Sequence, residues 1–138
     1  MIDTDTEFGA RVAQHLREDV VVWLTTVTAA GAPLPRPVWF IWDGAETVRV
    51  YSLPGARARN IERNPQVTLN FDGNGQGGDI VVLSGTAAID ASAPPAAQNA
   101  GFVTKYADQI LRIGMTPESF SERYSMPVRI TISAVNGH

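Results

Sequence analysis

The chain contains no cysteine among its 138 residues. That excludes disulfides, zinc–thiolate centres and thiol chemistry. Histidine is nearly absent as well. His15 and His138 lie in different regions, so no histidine-based metal site is expected. Ten of the eleven basic residues are arginine. No apolar run reaches the ~18–20 residues that a helix needs to span a bilayer. The opening residues, MIDTDTEFGARV, are acidic and hold no apolar stretch, so no signal peptide is expected and a cytoplasmic location is the default. A net charge of −3 argues against generic binding to nucleic acid.

What remains is the composition of an ordinary globular domain, 44% hydrophobic and 18% charged. The length suits one domain over residues 1–138. A chain of this size hides roughly two-thirds of its unfolded surface, enough for a core without covalent staples.

Periodicity sets the elements. Phe8, Val12 and Leu16 recur every four residues on one helix face, with Asp5 or Thr6 as its cap. Val20 to Thr28 is rich in β-branched residues and reads as a strand. Leu34 to Trp42 reads as a second, with Val38, Phe40 and Trp42 on one face and Trp39 and Ile41 on the other. Both faces are apolar, so both are expected to be covered. Arg36 stands between two prolines, which marks an edge or an irregular start. Asp43-Gly44 is a hairpin signal. The third strand runs from Thr47 to Leu53, and Pro54-Gly55 ends it. A short helix follows from Ala56 to Asn64, stopped by Pro65. Val67, Leu69 and Phe71 alternate in a fourth strand. A glycine-rich loop over Asp72 to Asp79 leads to a fifth strand, Ile80 to Ile89. A helix starting near Ser92 carries Phe102, Tyr106 and Ile110 on one face. Thr116-Pro117 caps a brief helix with Phe120 and Tyr124. Met126 to Ser133 is the last strand. Six strands with short connections favour antiparallel pairing, either as a small barrel or as an open α+β sheet.

One unit concentrates the chemistry. A strand feeds a helix that opens with Arg57 and Arg59 just after Pro54-Gly55. A helix start with adjacent cations favours a phosphate. Arg49, Arg57, Arg59 and Arg63 all fall within 15 residues. The loop from Gly73 to Gly78 has no following Gly-Lys-Ser/Thr, so it is a flexible hairpin rather than a P-loop. His15 reads as a solvent-facing helix residue. Trp42 reads as core. Ser52 is a possible cap for the next helix, and Thr68 and Asn70 share the non-core side of their strand. No carboxylate or histidine can be placed as a general acid, so the catalytic residues are unassigned, with a tyrosine or a water as the proton source.

Three segments carry a family resemblance: Gly31-Ala-Pro-Leu-Pro-Arg-Pro-Val-Trp-Phe40, Tyr51-Ser52, and Ala56-Arg-Ala-Arg-Asn-Ile-Glu-Arg-Asn-Pro-Gln-Val67. In order and spacing the chain resembles the pyridoxamine 5′-phosphate oxidase-like, FMN-binding split β-barrel family, and most nearly its actinobacterial branch that uses coenzyme F420. The resemblance covers roughly Glu7 to Ile132. It implies a mainly β, α+β fold: a six-stranded antiparallel split barrel with peripheral helices. It implies Pro37, Val38 and Trp39 beside a flavin ring, Tyr51 and Ser52 near the ribityl chain and phosphate, and Arg57 and Arg59 on the phosphate. It implies a homodimer with the site between subunits. Two departures separate the chain from the vitamin oxidases. Their Ser-Arg-Lys is Ala56-Arg57-Ala58 here, and their basic C-terminal extension has no counterpart. The implied activity is therefore hydride transfer from reduced F420 to a small electron-poor substrate. The alternatives are an FMN-dependent enzyme of the same family or a carrier of flavin or deazaflavin without turnover.

Overall fold

The computed structural model describes residues 2–138. Helix α1 (Glu7–Glu18) opens the chain. Thr6 fixes its start, because its hydroxyl accepts the Gly9 N–H at 2.9 Å. Strands β1 (Val22–Val27), β2 (Pro33–Val38), β3 (Ile41–Trp42) and β4 (Thr47–Ser52) follow, then helix α2 (Ala56–Arg63). Strands β5 (Gln66–Asn70) and β6 (Val81–Ile89) come next. Helices α3 (Ala100–Arg112) and α4 (Pro117–Arg123) precede the last strand, β7 (Met126–Gly137). A 3₁₀ turn at Ala96–Gln98 stands where the sequence suggests a helix from Ser92. Every strand pair is antiparallel, in the order β2-β1-β5-β6-β7-β4-β3.

The described residues hold seven strands, not six. The expected second strand is broken at Trp39 and Phe40, and its halves, β2 and β3, lie at opposite ends of the strand order. Only two residues join them. Three Cα–Cα steps of 3.8 Å reach at most about 11 Å. The two edges of the sheet must therefore approach each other, and the sheet curls into a split barrel with Trp39 and Phe40 at its seam.

The break frees backbone groups, and α3 satisfies them. The Phe40 N–H donates to the Tyr106 hydroxyl at 2.9 Å. That hydroxyl lies 2.7 Å from the Val20 carbonyl, the shorter of its two acceptor contacts. Lys105 donates to the Phe40 carbonyl at 3.2 Å. Buried backbone groups without partners are costly, so these side chains let the seam exist.

The strand is broken, but the two-sided burial expected of this stretch is found. Val38 and Phe40 are buried in the barrel core with Leu24, Val48, Leu69, Leu83 and Ile130, and Trp42 packs against it. Trp39 and Ile41 pack on the other side, against Phe102, Tyr106, Ile110 and Phe120 of the helical layer. At a bulge in β6, a Cβ on Gly85 would sit 2.3 Å from the Thr131 carbonyl oxygen, so only glycine lets β7 approach there.

Two expectations change. His15 does not face solvent freely. Its ring stacks on Phe71 at 5.0 Å, with Nδ1 2.7 Å from Asp19 and Nε2 3.0 Å from Asp79. The last strand does not end at Ser133 either: β7 runs on along β6 to Gly137, and His138 exchanges two backbone hydrogen bonds with Ile80. Arg11 binds both Asp79 and the His138 carbonyl, so α1, the glycine-rich loop and the chain end are clasped together.

This clasp predicts a pH dependence. Burial opposes charge on His15, but the hydrogen bonds it donates to Asp79 and Asp19 outweigh it and raise the pKa above 6.5. A raised histidine pKa gives stability that is complete below about 6.5 and is lost as pH rises through the folded value. Urea unfolding of the wild type should therefore show stability falling above that pH. His15→Gln should flatten the dependence, and an unchanged slope in that variant would exclude the clasp as its cause.

Among the described residues no helix is long and apolar enough to cross a membrane.

Candidate cofactor-binding site

The seam opens on a cavity of about 420 Å³. Pro37 and Val38 come from the end of β2, Trp39 from the seam itself, Tyr51 from the end of β4, and Arg57 from the first turn of α2. The helical layer closes the far side with Ile113, Phe120 and Tyr124.

Four of the ten residues in the wall are aromatic: Trp39, Tyr51, Phe120 and Tyr124. Trp39 stacks on Tyr106 with centroids 4.8 Å apart and on Phe120 at 5.5 Å, both nearly parallel. Phe120 stacks in turn on Tyr124 at 4.5 Å. Tyr51 is buried, with Phe102 edge-on at 4.9 Å, and its hydroxyl accepts from Asn99 Nδ2 at 2.9 Å. Flat, apolar and largely preformed, such a wall suits a planar aromatic ligand.

The cation is Arg57. It is half-buried, and its Nη1 donates to Ser52 Oγ at 3.1 Å. Ser52 is fully buried and donates to the Leu53 carbonyl at 3.0 Å. It does not cap α2, whose N-cap is Gly55 with φ 148°, a backbone conformation suited to glycine. Among the described residues no carboxylate lies within ion-pair distance of Arg57. Burial lowers its pKa, the neighbouring charge of Arg36 lowers it further, and Tyr124 opposes. Arginine remains charged even so. A charged guanidinium without a counter-ion, beside an apolar cavity, is set up to take an anion.

The arginines that cluster in sequence do not converge in space. Arg49 pairs with Asp90 at 3.0 Å, and Arg129, directly opposite on β7, shares that carboxylate at 3.2 Å. Arg63 donates to Asn60 Oδ1. Arg59 is exposed and lies outside the cavity wall. Ala58 and Ile61 bury the inner face of α2. Residues two apart on a helix differ by about 200°, so Arg57 and Arg59 flank that face on opposite sides. Five of the seven sequence-nominated residues, Pro37, Val38, Trp39, Tyr51 and Arg57, thus line one cavity. Ser52 stands behind Arg57, and Arg59 stands apart. Thr68 and Asn70 do not line the cavity.

Sequence reasoning missed Val21, Leu53, Ile113, Phe120 and Tyr124 of the wall, and the charge of Arg36 beside it. Phe120 and Tyr124 form a legible helix face, but nothing local places that helix over the seam. Arg36 reads only as an edge residue between prolines, and the structure brings its charge to bear on Arg57.

A split barrel with a cation-bearing aromatic cavity at its seam is the class of protein this geometry defines. The chain belongs to the pyridoxamine 5′-phosphate oxidase family, whose model matches residues 8–136. No curated protein is significantly similar in sequence. Solved structures share the fold at low identity. An F420 reductase is 20% identical with a TM-score of 0.64, over 88% of this chain and 92% of that one. The conserved hypothetical protein Rv2991 from Mycobacterium tuberculosis is 20% identical with a TM-score of 0.70, over 94% and 82%. The heme storage protein HutZ from Vibrio cholerae is 18% identical with a TM-score of 0.63, over 96% and 95%.

Proposed function

We propose that this protein binds coenzyme F420 at the seam and is an oxidoreductase that passes hydride to a small electron-poor substrate. The observation that carries the reading is Arg57, a half-buried cation with no carboxylate partner among the described residues, facing a cavity with four aromatic residues in its wall. Such a site matches a planar ring joined to an anionic arm. FMN shares that chemistry and is the alternative cofactor, and a carrier role without turnover is the alternative function. The similarity to an F420 reductase supports the deazaflavin. A heme reading draws less support, because no histidine lines the cavity and both nitrogens of His15 are engaged by carboxylates.

When bound, the coenzyme supplies a hydride donor, and the hard chemistry is its own. The protein's part is to bind and orient. Trp39, Phe120 and Tyr124 present flat apolar surface that excludes water from a ring. Arg57, held by Ser52, takes the anionic end. Arg36 adds positive charge at the same end. The cavity's mouth carries Leu53 and Ile113, both substantially exposed, which leaves room for a second subunit to complete the site in a homodimer. A cytoplasmic location belongs to the same reading.

A fluorescence titration of the apo-protein with F420 and, separately, with FMN tests the proposal. F420 is expected to bind the more tightly. Preference for FMN would transfer the protein to the flavin enzymes, and binding of neither would refute the site. Turnover of the reduced coenzyme with activated alkenes or quinones would separate an enzyme from a carrier.

A further inference from the structure

The chain has three tyrosines, and the fold supplies partners for the hydroxyls of two. Tyr106 is bonded at the seam to Phe40 and Val20, and Tyr51 accepts from Asn99. The Tyr124 hydroxyl has no hydrogen-bond partner among the described residues. The rest of Tyr124 is fixed. It is the C-cap of α4, its backbone N–H donates to the Phe120 carbonyl at 2.8 Å, and its ring stacks on Phe120 at 4.5 Å. The residue is half-buried and lines the cavity together with Arg57. Tyr124 and Arg36 are the two groups whose charges bear on the Arg57 guanidinium. Arg36 directs one N–H to the Pro35 carbonyl at 2.9 Å. Among the described residues neither arginine has a carboxylate within ion-pair distance. This end of the cavity thus holds two cations and a spare O–H donor, and no acceptor for them.

We propose that the Tyr124 hydroxyl donates a hydrogen bond to the phosphate group whose charge Arg57 holds, so that the end of α4 selects the phosphorylated form of the cofactor over the bare ring system. The proposal rests on the cofactor reading above. A phenol donates as well as accepts, and a phosphate ester is acceptor-only with several oxygens to share. A hydrogen bond to such an anion is stronger than one between neutral groups. Arg57 reaches the anion from α2, and Tyr124 reaches it from the far side of the cavity, so the two need not compete for one oxygen. The hydroxyl discriminates because it is neutral. It adds a charge-assisted bond to a phosphorylated ligand and nothing comparable to one without phosphate, while the Tyr124 ring packs against both alike.

Tyr124→Phe is the test variant. It keeps the ring, and because the hydroxyl has no protein partner the unfolding curve should not move. Fluorescence titrations of the apo-protein with FMN and with riboflavin isolate the phosphate. F420 and its phosphate-free deazariboflavin fragment do the same for the deazaflavin. In the wild type the phosphorylated member of a pair should bind the more tightly. In the variant its affinity should fall about 10-fold, while that of the phosphate-free member stays within about twofold. Equal losses for both members, or a preference that the variant retains in full, would overturn the proposal and leave the cofactor reading standing. A wild type that shows no preference, or that binds no member of either pair, would refute the reading and the proposal together.

Discussion

Tyr106→Phe is expected to destabilise the protein by about 2–4 kcal/mol, although it removes a single oxygen. The hydroxyl is buried at the seam, where it accepts from Phe40 N–H and donates to the Val20 carbonyl. Without it the buried Phe40 N–H loses its partner, at roughly 1–3 kcal/mol, and the part-buried Val20 carbonyl loses a hydrogen bond worth about 1 kcal/mol. The phenylalanine ring keeps the stacking on Trp39, so the loss reports the hydrogen bonds rather than the packing. At about 2–4 °C per kcal/mol for a chain of this size, the melting point should fall by about 5–15 °C. Tyr51→Phe is the control. Its hydroxyl meets one side-chain amide, that of Asn99, and should cost only about 1 kcal/mol. Equal losses in the two variants, by thermal or urea unfolding, would mean that the seam does not depend on Tyr106.

The same residue shows where sequence reading stops. Local pattern gave much of the fold. The face formed by Phe102, Tyr106 and Ile110 is buried as the spacing demands, Thr116 caps α4, and Asp43-Gly44 turns the β3–β4 hairpin. The two-sided character of Leu34 to Trp42 was legible because both faces are apolar. Its break was not. No local signal marks Trp39-Phe40, and the hydroxyl that makes the break tolerable is 66 residues away. His15 fails for the same reason. The helix period puts it on the polar side, and the carboxylate that engages it lies 64 residues on. Past Ser133 only Val135 is a strand-favouring residue, yet the C-terminal residues are held because β6 offers its whole length for pairing. The site divides in the same way. Residues on the segment from Pro37 to Arg57 were found because chain order keeps them together. Phe120 and Tyr124 were not, because only the tertiary fold lays α4 over the seam.

Arg57→Ala is expected to weaken binding of F420 or FMN about 100-fold, and Arg59→Ala by less than about threefold. Sequence treats the two as a pair, and the helix separates them. Arg57 lines the cavity with its guanidinium half-buried and held by Ser52. An anion there gains a charge-assisted hydrogen bond in a poorly solvated setting, worth roughly 1.5–3 kcal/mol. Arg59 is exposed on the opposite flank, where solvent screens its charge and a long-range contribution is small. Ser52→Ala should fall between them, because it releases the guanidinium without removing it. Affinity by fluorescence titration, beside an unfolding curve for each variant, decides the matter. A larger loss from Arg59 would move the anionic end of the ligand to the outer side of α2, where a second subunit would have to complete the site. Unchanged affinity in both variants would leave Arg57 as a structural brace for the β4–α2 turn and remove the main support for an anionic cofactor at the seam.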